Sequence, residues 1–449
     1  MRIATLLADA AERVPGRPAL ASGGTRISYA ELDAAADCAA GALRAEGVGR
    51  GDRVALVLPN RPSFVAAYHG ALRLGAVAVP INPLASEREV AARVADTGAC
   101  VVVTEELVGP AIDRPEETAE DEPAVVLYTS GTSGEPKRVE LTHAGLRANA
   151  EYLAREALEI REDDVLFGAA PLAHVFGMTC CMNATLVAGA CLALVERFDP
   201  EAALGTIEDE GVTAFMGVPA MCVALLAASD AADRAPQMRL AHVGGAPLAL
   251  DTLRAFEERF GATVLEGYGM TEVGGTVATS HAGRPRKPGS VGTPAAGGRI
   301  RIDGGDVGEV LVESPTVMRG HEGPLATGDV GYLDEDGYLF LVERKKDVIL
   351  RGGYNVYARE VEEALFEHPH VREGVVVGVP DERLGEEVVA LVVPGDDTID
   401  PEEVKAFVRE RVAAYKYPRH VLVVDDLPRS ASGKVLRREI DREALRERL

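Results

Sequence analysis

Short apolar runs alternate with helix-patterned segments from Asp52 to Phe260, and this alternation constrains the fold more than any other feature of the sequence. Runs such as ACVVVT, AVVLYTS and TAFMGVP are apolar at nearly every position, so both faces of the strands they form must be covered. Strands that alternate with helices build parallel α/β sheets. We therefore predict two parallel α/β subdomains, joined by the acidic segment Glu105–Pro123, with ligands bound beyond the carboxyl ends of the strands.

The pattern changes after Gly283. Short strands separated by Gly/Asp turns, such as RIRI, GEVLVES and GYLFLVE, indicate a small β-barrel-like subdomain. From about Lys345 the sequence is charged and mixed, which predicts a compact α+β domain of roughly a hundred residues. The predicted fold class is α/β, with a large N-terminal domain over residues 1–344 and a small α+β C-terminal domain over residues 345–449.

The charge and composition exclude several broad classes of protein. The 449 residues carry a formal charge of −24, which would oppose a general nucleic-acid or anionic-membrane surface. The sequence contains no stretch of about 18 apolar residues, so no membrane span is predicted. The 6 cysteines form no CxxC pair, which favours a cytoplasmic location with buried thiols and argues against zinc. Any anionic ligand must therefore be held by local positive groups.

The stretch YTSGTSGEPK, Tyr128–Lys137, follows a predicted strand and precedes a predicted helix. Glycines let backbone N–H groups approach phosphate oxygens, hydroxyls donate hydrogen bonds, and a lysine supplies a mobile positive charge. The spacing is not that of G-x-x-x-x-G-K-[ST], because Pro136 stands five residues after Gly131. Taken alone, the stretch fits either a phosphate-binding loop or a polar turn.

Four further segments carry polar groups in glycine-rich turns. GYGMTE (Gly267–Glu272) offers a hydroxyl and a carboxylate, and a phosphate would repel that carboxylate unless Mg²⁺ lay between them. HVGGAPL (His242–Leu248) offers a flat backbone surface for an adenine ring. TGDVGYLDEDGYLFLVER carries Asp329 and Arg344, which can bind ribose hydroxyls, and SASGKVLRRE presents Lys434. Singly, Asp329 also fits a turn residue and Lys434 a solvated loop lysine.

Together and in this order, the five segments resemble those of the adenylate-forming superfamily, which contains acyl-CoA synthetases, stand-alone adenylation enzymes and beetle luciferases. The resemblance runs from ISYAEL at Ile27 to RREI at Ile440. It implies that a carboxylate attacks the α-phosphorus of ATP, which makes an acyl-AMP and releases pyrophosphate, before a thiol takes the acyl group. Because two anions must meet, stabilising the developing charge is most of the catalytic task.

The resemblance also implies roles for individual residues in the first step. The phosphates of ATP would contact Thr129, Ser130, Gly131, Thr132, Ser133, Gly134 and Lys137. Adenine would lie against Gly245, Ala246 and Pro247, and the adenylate against Gly267, Tyr268 and Gly269. Asp329 and Arg344 would bind ribose, Thr271 the α-phosphate, and Glu272 with Thr132 would hold Mg²⁺. Lys434 would bridge the substrate carboxylate and the α-phosphate, with Thr271, Glu272 and His174 as the other catalytic residues.

In the second step the thiol must enter where Lys434 stood. The resemblance implies that the C-terminal domain rotates about a hinge at Lys346, which brings the RGGYNV loop to the active site. Gly352, Gly353 and Tyr354 would then line the path of the pantetheine arm of coenzyme A. Without the resemblance, this loop also fits a simple hairpin turn.

The acid is the least determined substrate. His174, in PLAHVFGM, is expected beside its carboxylate; the other reading is a histidine satisfied by backbone at a helix start. The expected pocket is apolar, with no charge for an amino group, and consists of Val175, Phe176, Met178, Met216, Gly217, Val218, Gly244, Gly267 and Gly274. This predicts a medium- or long-chain fatty acid, since each buried methylene contributes about 0.8 kcal/mol. An aryl acid or a short branched acid is the alternative.

The leading hypothesis is an ATP-dependent acyl-CoA ligase, present as a monomer or a homodimer. The alternatives are an acyl-AMP ligase that loads the phosphopantetheine arm of an acyl carrier protein, and a non-catalytic nucleotide-binding protein. Free coenzyme A is favoured by a group of basic residues: Lys405, Arg409, Arg411, Lys416 and Arg419. The chain departs from the family at Arg138, at Tyr357, and in its short segments at 105–123 and 320–327.

Overall fold

The computed structural model describes residues 1–112, 115–129, 137–229, 238–381, 383–395, 399–429 and 435–448. Its internal contacts define two compact units, which are described separately. The first consists of Met1–Ile300, Val312–Leu325 and Glu335–Leu339. The second consists of Arg301–Leu311, Ala326–Asp334 and Phe340–Leu449. The functional boundary expected after residue 344 stays a prediction.

The regular elements are numbered in chain order. The strands are β1 Pro18–Ser22, β2 Thr25–Ser28, β3 Arg53–Leu56, β4 Val77–Pro80, β5 Val101–Val103, β6 Pro123–Thr129, β7 Lys137–Thr142, β8 Val165–Gly168, β9 Cys191–Leu194, β10 Ala214–Gly217, β11 Leu240–Gly244, β12 Thr263–Met270, β13 Gly275–Thr279, β14 Thr293–Pro294, β15 Arg299–Asp303, β16 Gly308–Glu313, β17 Leu325–Leu333, β18 Leu339–Arg344, β19 Ile349–Arg351, β20 Tyr354–Val356, β21 Val371–Asp381, β22 Gly385–Pro394 and β23 His420–Val423. The helices are α1 Leu6–Arg13, α2 Tyr29–Ala45, α3 Pro62–Arg73, α4 Glu87–Thr97, α5 His143–Glu151, α6 Ala184–Ala188, α7 Pro200–Asp209, α8 Pro219–Ala228, α9 Leu250–Phe260, α10 Ala358–Phe366, α11 Pro401–Arg409 and α12 Arg442–Arg448. Two π-helical segments, Tyr152–Ala157 and Phe176–Asn183, adjoin α5 and α6.

Two largely parallel sheets form the first unit, as the strand–helix alternation predicts. One sheet has the order β14-β13-β12-β11-β10-β8-β9-β1-β2, and the other has the order β5-β3-β4-β6-β7. The predicted α/β fold class is confirmed. Strand β7 was not predicted: it pairs antiparallel with β6 and lies between the YTSGTSGEPK stretch and the expected helix.

Local sequence signals start several of the helices. The Ser28 hydroxyl accepts a hydrogen bond from the Glu31 N–H at 3.3 Å, and the Glu31 carboxylate accepts one from the Ser28 N–H at 2.8 Å. This reciprocal cap satisfies two N–H groups at the start of α2. Ser86 and Glu89 repeat the arrangement at α4. These caps fix where α2 and α4 begin.

The strands of the larger sheet alternate between two hydrophobic clusters, one on each face. On β11, Leu240 packs into the cluster that includes helices α1 to α3, whereas Ala241 and Val243 pack into the cluster with α7 to α9. Because successive side chains of a strand point to opposite faces, His242 lies on the same face as Leu240. Met216 on β10 and Leu265 on β12 belong to that same face. The alternation therefore decides which side chains reach the acid pocket described below.

The second unit contains most of the sheet β15-β16-β17-β18, and the sheet β20-β19-β22-β21 with β23 beside β22. Helix α10 begins directly after Tyr357, which lies at its N-terminal cap position in extended conformation. Helix α11 ends at Arg409. Within the described part of the chain, no helix combines the length and the apolar character needed to span a bilayer.

Candidate active site

The phosphate-loop stretch connects two paired antiparallel strands. Thr129 ends β6, Lys137 begins β7, and the two are register partners. Both ends of the loop are therefore held side by side, and the Lys137 side chain is exposed. The predicted phosphate-binding residues between them lie outside the described residues: Ser130, Gly131, Thr132, Ser133 and Gly134. Their roles stay predictions.

Arg138, which departs from the family pattern, lies on the strand face opposite to Lys137. Its Nη1 donates to the Asp96 carbonyl oxygen at 3.4 Å, and its Nη2 lies 3.3 Å from the Glu140 carboxylate. Side chains one residue apart on a strand point to opposite faces. Arg138 is thus directed away from the face on which Lys137 lies.

The GYGMTE segment ends strand β12 and turns at Thr271–Val273. Gly274 follows with φ +69°, a left-handed conformation that favours glycine. The Glu272 carbonyl accepts a hydrogen bond from Met318 N at 2.7 Å, and the Arg319 N–H donates to the Glu140 carbonyl at 2.9 Å. Residues 318 and 319 thereby fasten the turn to β7. The structure brings the predicted phosphate hairpin and the predicted adenylate turn together.

Asn149 on α5 holds this turn, and the sequence analysis did not identify it. Its Oδ1 accepts from Thr276 N at 3.1 Å, and its Nδ2 donates to the carbonyls of Val273 at 3.3 Å and Thr276 at 3.0 Å. The side chain is fully buried. A polar residue inside the apolar pattern of a helix was the only signal in the sequence, and it does not indicate which backbone groups the amide binds.

His174 lies in the loop between β8 and the π-helical segment that begins at Phe176. Its side chain is accessible to solvent. Protein atoms nevertheless surround it densely, as in a cleft, and this partial loss of solvent lowers its pKa. The His174 Nδ1 accepts a hydrogen bond from Phe176 N at 3.2 Å. The neutral ring therefore carries its proton on Nε2, which can donate to a carboxylate. Asn60 fixes the loop, because it donates to the Ala170 carbonyl at 2.9 Å and accepts from Leu172 N at 2.8 Å.

The two buried asparagines give a matched pair of variants. Asn149→Ala and Asn60→Ala each leave buried backbone groups without partners, so each is expected to lower the free energy of unfolding by about 3 kcal/mol. We expect Asn149→Ala to raise the KM for ATP and Asn60→Ala to raise the KM for the acid, because each loosens a different part of the site. Steady-state kinetics with each substrate varied in turn would measure this. Equal changes of both KM values in both variants would contradict the assignment.

The predicted acid-pocket residues lie at the carboxyl ends of β10, β11 and β12 and on the adjoining π-helical segment. Gly244 and Gly267 are register partners, and a Cβ at Gly244 would lie 2.9 Å from the Gly267 oxygen and 3.5 Å from Cε2 of Phe176. Glycine is therefore required for this close approach. The remaining pocket residues near these strand ends and the π-helical segment are Val175, Met178, Met216, Gly217 and Val218. Gly274 instead lies against Leu141 and Leu146.

The predicted adenine residues continue from β11. Gly245 has φ +82°, and a Cβ there would lie 3.6 Å from Cγ1 of Val218. Ala246 and Pro247 are exposed, as a surface for a flat ring requires. Tyr268 is buried and Gly269 is exposed on the neighbouring β12.

In the second unit, the two residues predicted to bind ribose form an ion pair. Arg344 Nε lies 2.6 Å from Asp329 Oδ1, and Asp329 N donates to the Thr327 hydroxyl at 3.1 Å. Asp329 is buried and Arg344 is half exposed. A carboxylate and a guanidinium fixed side by side suit the neighbouring hydroxyls of a ribose.

Gly352 and Gly353 form the two-residue turn between β19 and β20. Both have positive φ, +58° and +84°, as the tight hairpin turn that glycine favours requires. Tyr354 is exposed and stacks on Tyr415 with ring centroids 4.6 Å apart. Lys346, the predicted hinge residue, lies in the short turn Lys345–Asp347, and Lys434 lies outside the described residues. The interpretation of the RGGYNV loop as a simple hairpin turn is confirmed, and the role of this loop in the second step stays a prediction.

The residues present fit a magnesium ion held mainly by phosphate. Within the described residues, the Glu272 carboxylate has neither a hydrogen bond nor an ion pair, and no group of three or more metal-binding side chains is found. Mg²⁺ keeps several waters and binds one or two protein oxygens together with substrate phosphates. One free carboxylate beside the phosphate hairpin is what such a site needs.

The predicted phosphate hairpin and the predicted adenylate turn meet near the carboxyl ends of parallel strands, which is the arrangement needed by an enzyme that activates its substrate with a nucleotide. The chain belongs to the AMP-binding enzyme family, whose sequence model matches residues 7–114 and 105–321. The model of the C-terminal domain of AMP-binding enzymes matches residues 360–434. The predicted membership of the adenylate-forming superfamily is confirmed.

The chain is similar over nearly its whole length to characterised members. It is 32% identical to a long-chain-fatty-acid–CoA ligase of Bacillus subtilis (97% of this chain, 93% of the relative) and 37% identical to a feruloyl-CoA synthase of an Amycolatopsis species (95% and 96%). Its structure resembles that of ATP-bound MatB from Rhodopseudomonas palustris, with a TM-score of 0.87, 32% identity and coverage of 100% and 99%. The predicted AMP-forming acid–thiol ligase and its cofactors ATP, Mg²⁺ and coenzyme A are confirmed.

Proposed function

We propose that this ATP-dependent acyl-CoA ligase activates an aryl carboxylic acid. The observation that carries the choice of acid is a flat wall in the predicted pocket. The rings of Phe176 and His242 stack at a centroid distance of 5.9 Å with planes 11° apart. Both rings lie against glycines, Gly244 and Gly267, at the carboxyl ends of β11 and β12. The partly exposed Phe176 ring, backed by the buried His242 ring, offers one flat face on which a planar aromatic acid can stack.

In this proposal each group of residues has one task in the first step. Thr129 and Lys137 hold the leaving phosphates at the two ends of the hairpin, and Thr271 binds the α-phosphate. Glu272 would hold Mg²⁺, which neutralises phosphate charge when bound. The Nε2–H of His174 orients the acid's carboxylate, and Lys434 stabilises the charge that develops between carboxylate and phosphate.

The choice of free coenzyme A as acceptor is supported by two cations of the predicted basic group. The guanidinium carbons of Arg409 and Arg419 lie 5.5 Å and 3.9 Å from the centroid of the Tyr417 ring. Burial lowers the pKa of Arg419, and the neighbouring Arg351 and Arg409 lower it further, whereas Glu387, which pairs with Arg351, opposes the shift. The other three members each form an ion pair: Lys405 with Glu402, Arg411 with Glu367, and Lys416 with Glu360. Crowded cations beside an aromatic ring suit the phosphates of coenzyme A.

A medium- or long-chain fatty acid is the second candidate, favoured by the similarity to the Bacillus subtilis long-chain ligase. The loading of an acyl carrier protein, the cytoplasmic location and the monomeric or homodimeric state stay predictions. All 6 cysteines are free, but the expectation of buried thiols is wrong for two of them, because Cys38 is partly exposed and Cys100 is exposed.

The test is the release of AMP with coenzyme A across a panel of benzoic, cinnamic and straight-chain fatty acids. We expect the highest kcat/KM for an aryl acid. Higher kcat/KM values for medium- and long-chain fatty acids would favour the second candidate, because each buried methylene contributes about 0.8 kcal/mol. Thioester formed only on a carrier protein would contradict the choice of acceptor.

A further inference from the structure

Glu343, on strand β18, is a buried carboxylate of the second unit. Its side chain is 4% exposed. One carboxylate oxygen accepts a hydrogen bond from Arg359 N at 2.7 Å, and the other accepts one from Arg437 Nη1 at 3.1 Å. A buried carboxylate is strongly destabilising unless such donors offset its lost hydration. The three residues are distant in the sequence, so only the fold brings them together.

The Glu343 carboxylate also caps helix α10. Tyr357 occupies the N-cap position of this helix, and its side chain makes no capping hydrogen bond. Glu343 supplies an acceptor from β18, because Arg359 N is one of the N–H groups that have no partner within the first turn. Its negative charge also suits the positive end of the helix dipole. Arg359 makes a second link to β18, since its Nη1 donates to the Leu341 carbonyl at 3.2 Å.

These three hydrogen bonds cross Lys346, the predicted hinge. Their acceptors on β18 precede Lys346 in the chain, whereas both arginines follow it. Rotation of the C-terminal domain about Lys346 would move the arginines relative to β18, so the three bonds cannot all persist in both orientations. By contrast, the ion pair of Arg437 with Glu362 lies wholly after the hinge, and a rotation leaves it intact.

We propose that Glu343 is a positioning residue that holds the C-terminal domain in the orientation for adenylate formation. The inference rests on the proposed roles of Lys434 and Lys346. Arg437 stands three residues after Lys434, so its bond to Glu343 ties the segment that carries the lysine to β18. The same strand ends at Arg344, a residue of the predicted ribose site. Loss of the bond therefore shifts the population toward the orientation for thioester formation.

The experiment measures the two steps separately in Glu343→Gln, with the acid that the wild-type enzyme uses best. Glutamine keeps the shape of the side chain, but its amide has a single acceptor oxygen and turns an NH2 group toward one of the two donors. We expect carboxylate-dependent pyrophosphate exchange to fall about 10- to 100-fold. Thioester formation from the synthetic adenylate of that acid and coenzyme A is expected to stay at the wild-type rate or to rise, because its orientation becomes more populated.

Glu363→Gln is the matched control. The Glu363 carboxylate also pairs with Arg359, 3.0 Å from its Nε, but this pair is largely exposed and lies on one side of the hinge. Both steps are expected to proceed at wild-type rates in this variant. Arg359→Ala is a second, milder variant, which removes the bond to the Leu341 carbonyl and leaves Glu343 with Arg437. We expect it to lower pyrophosphate exchange about 3-fold without slowing thioester formation.

The split between the two steps distinguishes positioning from a merely structural role. An equal fall in both steps, or unchanged pyrophosphate exchange in folded Glu343→Gln, would overturn the inference. Circular dichroism shows whether that variant folds, and if it does not, an equal change of both steps in Arg359→Ala decides in the same way. A wild-type enzyme that activates fatty acids but no aryl acid would overturn the proposed choice of acid and leave this test in place.

Discussion

Replacing Lys434 by alanine is expected to lower the rate of acyl-adenylate formation about 10³-fold and to leave thioester formation from a supplied acyl adenylate nearly unchanged. The reason is electrostatic: the lysine offsets the repulsion between the acid's carboxylate and the α-phosphate, which meet only in the first step. In the second step the proposed rotation about Lys346 removes the lysine from the site. Pyrophosphate exchange measures the first step, and thioester formed from synthetic acyl adenylate and coenzyme A measures the second.

Lys287→Ala is the matched control for this prediction. Lys287 is a partly exposed lysine whose Nζ lies 2.6 Å from the Asp336 carboxylate, and it has no proposed part in binding or catalysis. We expect both partial reactions to proceed at wild-type rates in this variant. A loss in Lys434→Ala that is equal in the two partial reactions would contradict the separation of roles.

Replacing Arg437 by alanine is expected to lower the free energy of unfolding of the second unit by about 3–5 kcal/mol. The guanidinium serves three carboxylates: Nη1 lies 3.1 Å from Glu343 and 3.5 Å from Asp347, and Nη2 lies 2.5 Å from Glu362. Burial raises the pKa of Glu362, and Arg437 is the group that most opposes this rise. Without Arg437, buried negative charges remain without their shared cation. The same change is expected to slow adenylate formation, because Arg437 stands only three residues after Lys434.

Denaturant unfolding followed by circular dichroism measures this effect, since the chain contains no tryptophan. Arg372→Ala is the control: this exposed arginine lies 3.9 Å from Glu373, and exposed pairs of that kind contribute about 0–1 kcal/mol. Arg437→Lys keeps the charge but not the planar fork, so an intermediate loss is expected. Equal stability of Arg437→Ala and Arg372→Ala would show that the network contributes nothing.

The motifs were found in the sequence because each depends on neighbours along the chain. The YTSGTSGEPK stretch, the GYGMTE turn and the two glycines of RGGYNV combine a turn with polar or small residues over a few positions. Local structure of this kind follows from backbone freedom, as the positive φ of Gly352 and Gly353 shows. The alternation of apolar runs and helices likewise predicts parallel sheets without any knowledge of their strand order.

Other residues of the site could not be found in this way. Asn149 binds backbone 127 residues away at Thr276, and Asn60 binds backbone 112 residues away at Leu172. Strand β7 was missed because KRVELT, with its charged residues, has the composition of a loop; it is a strand because it pairs with β6. Long-range pairing of this kind overrides local preference.

The sequence by itself determined the class of enzyme, the order of its motifs and the residue types available for phosphate, ribose and metal. Only the tertiary structure decided which of these residues meet, for example the ion pair of Asp329 with Arg344 and the contact of His242 with Phe176. The physical reason is that motif chemistry is encoded within a few successive residues. The shape and polarity of the acid pocket instead arise where β11, β12 and a distant helical segment pack together.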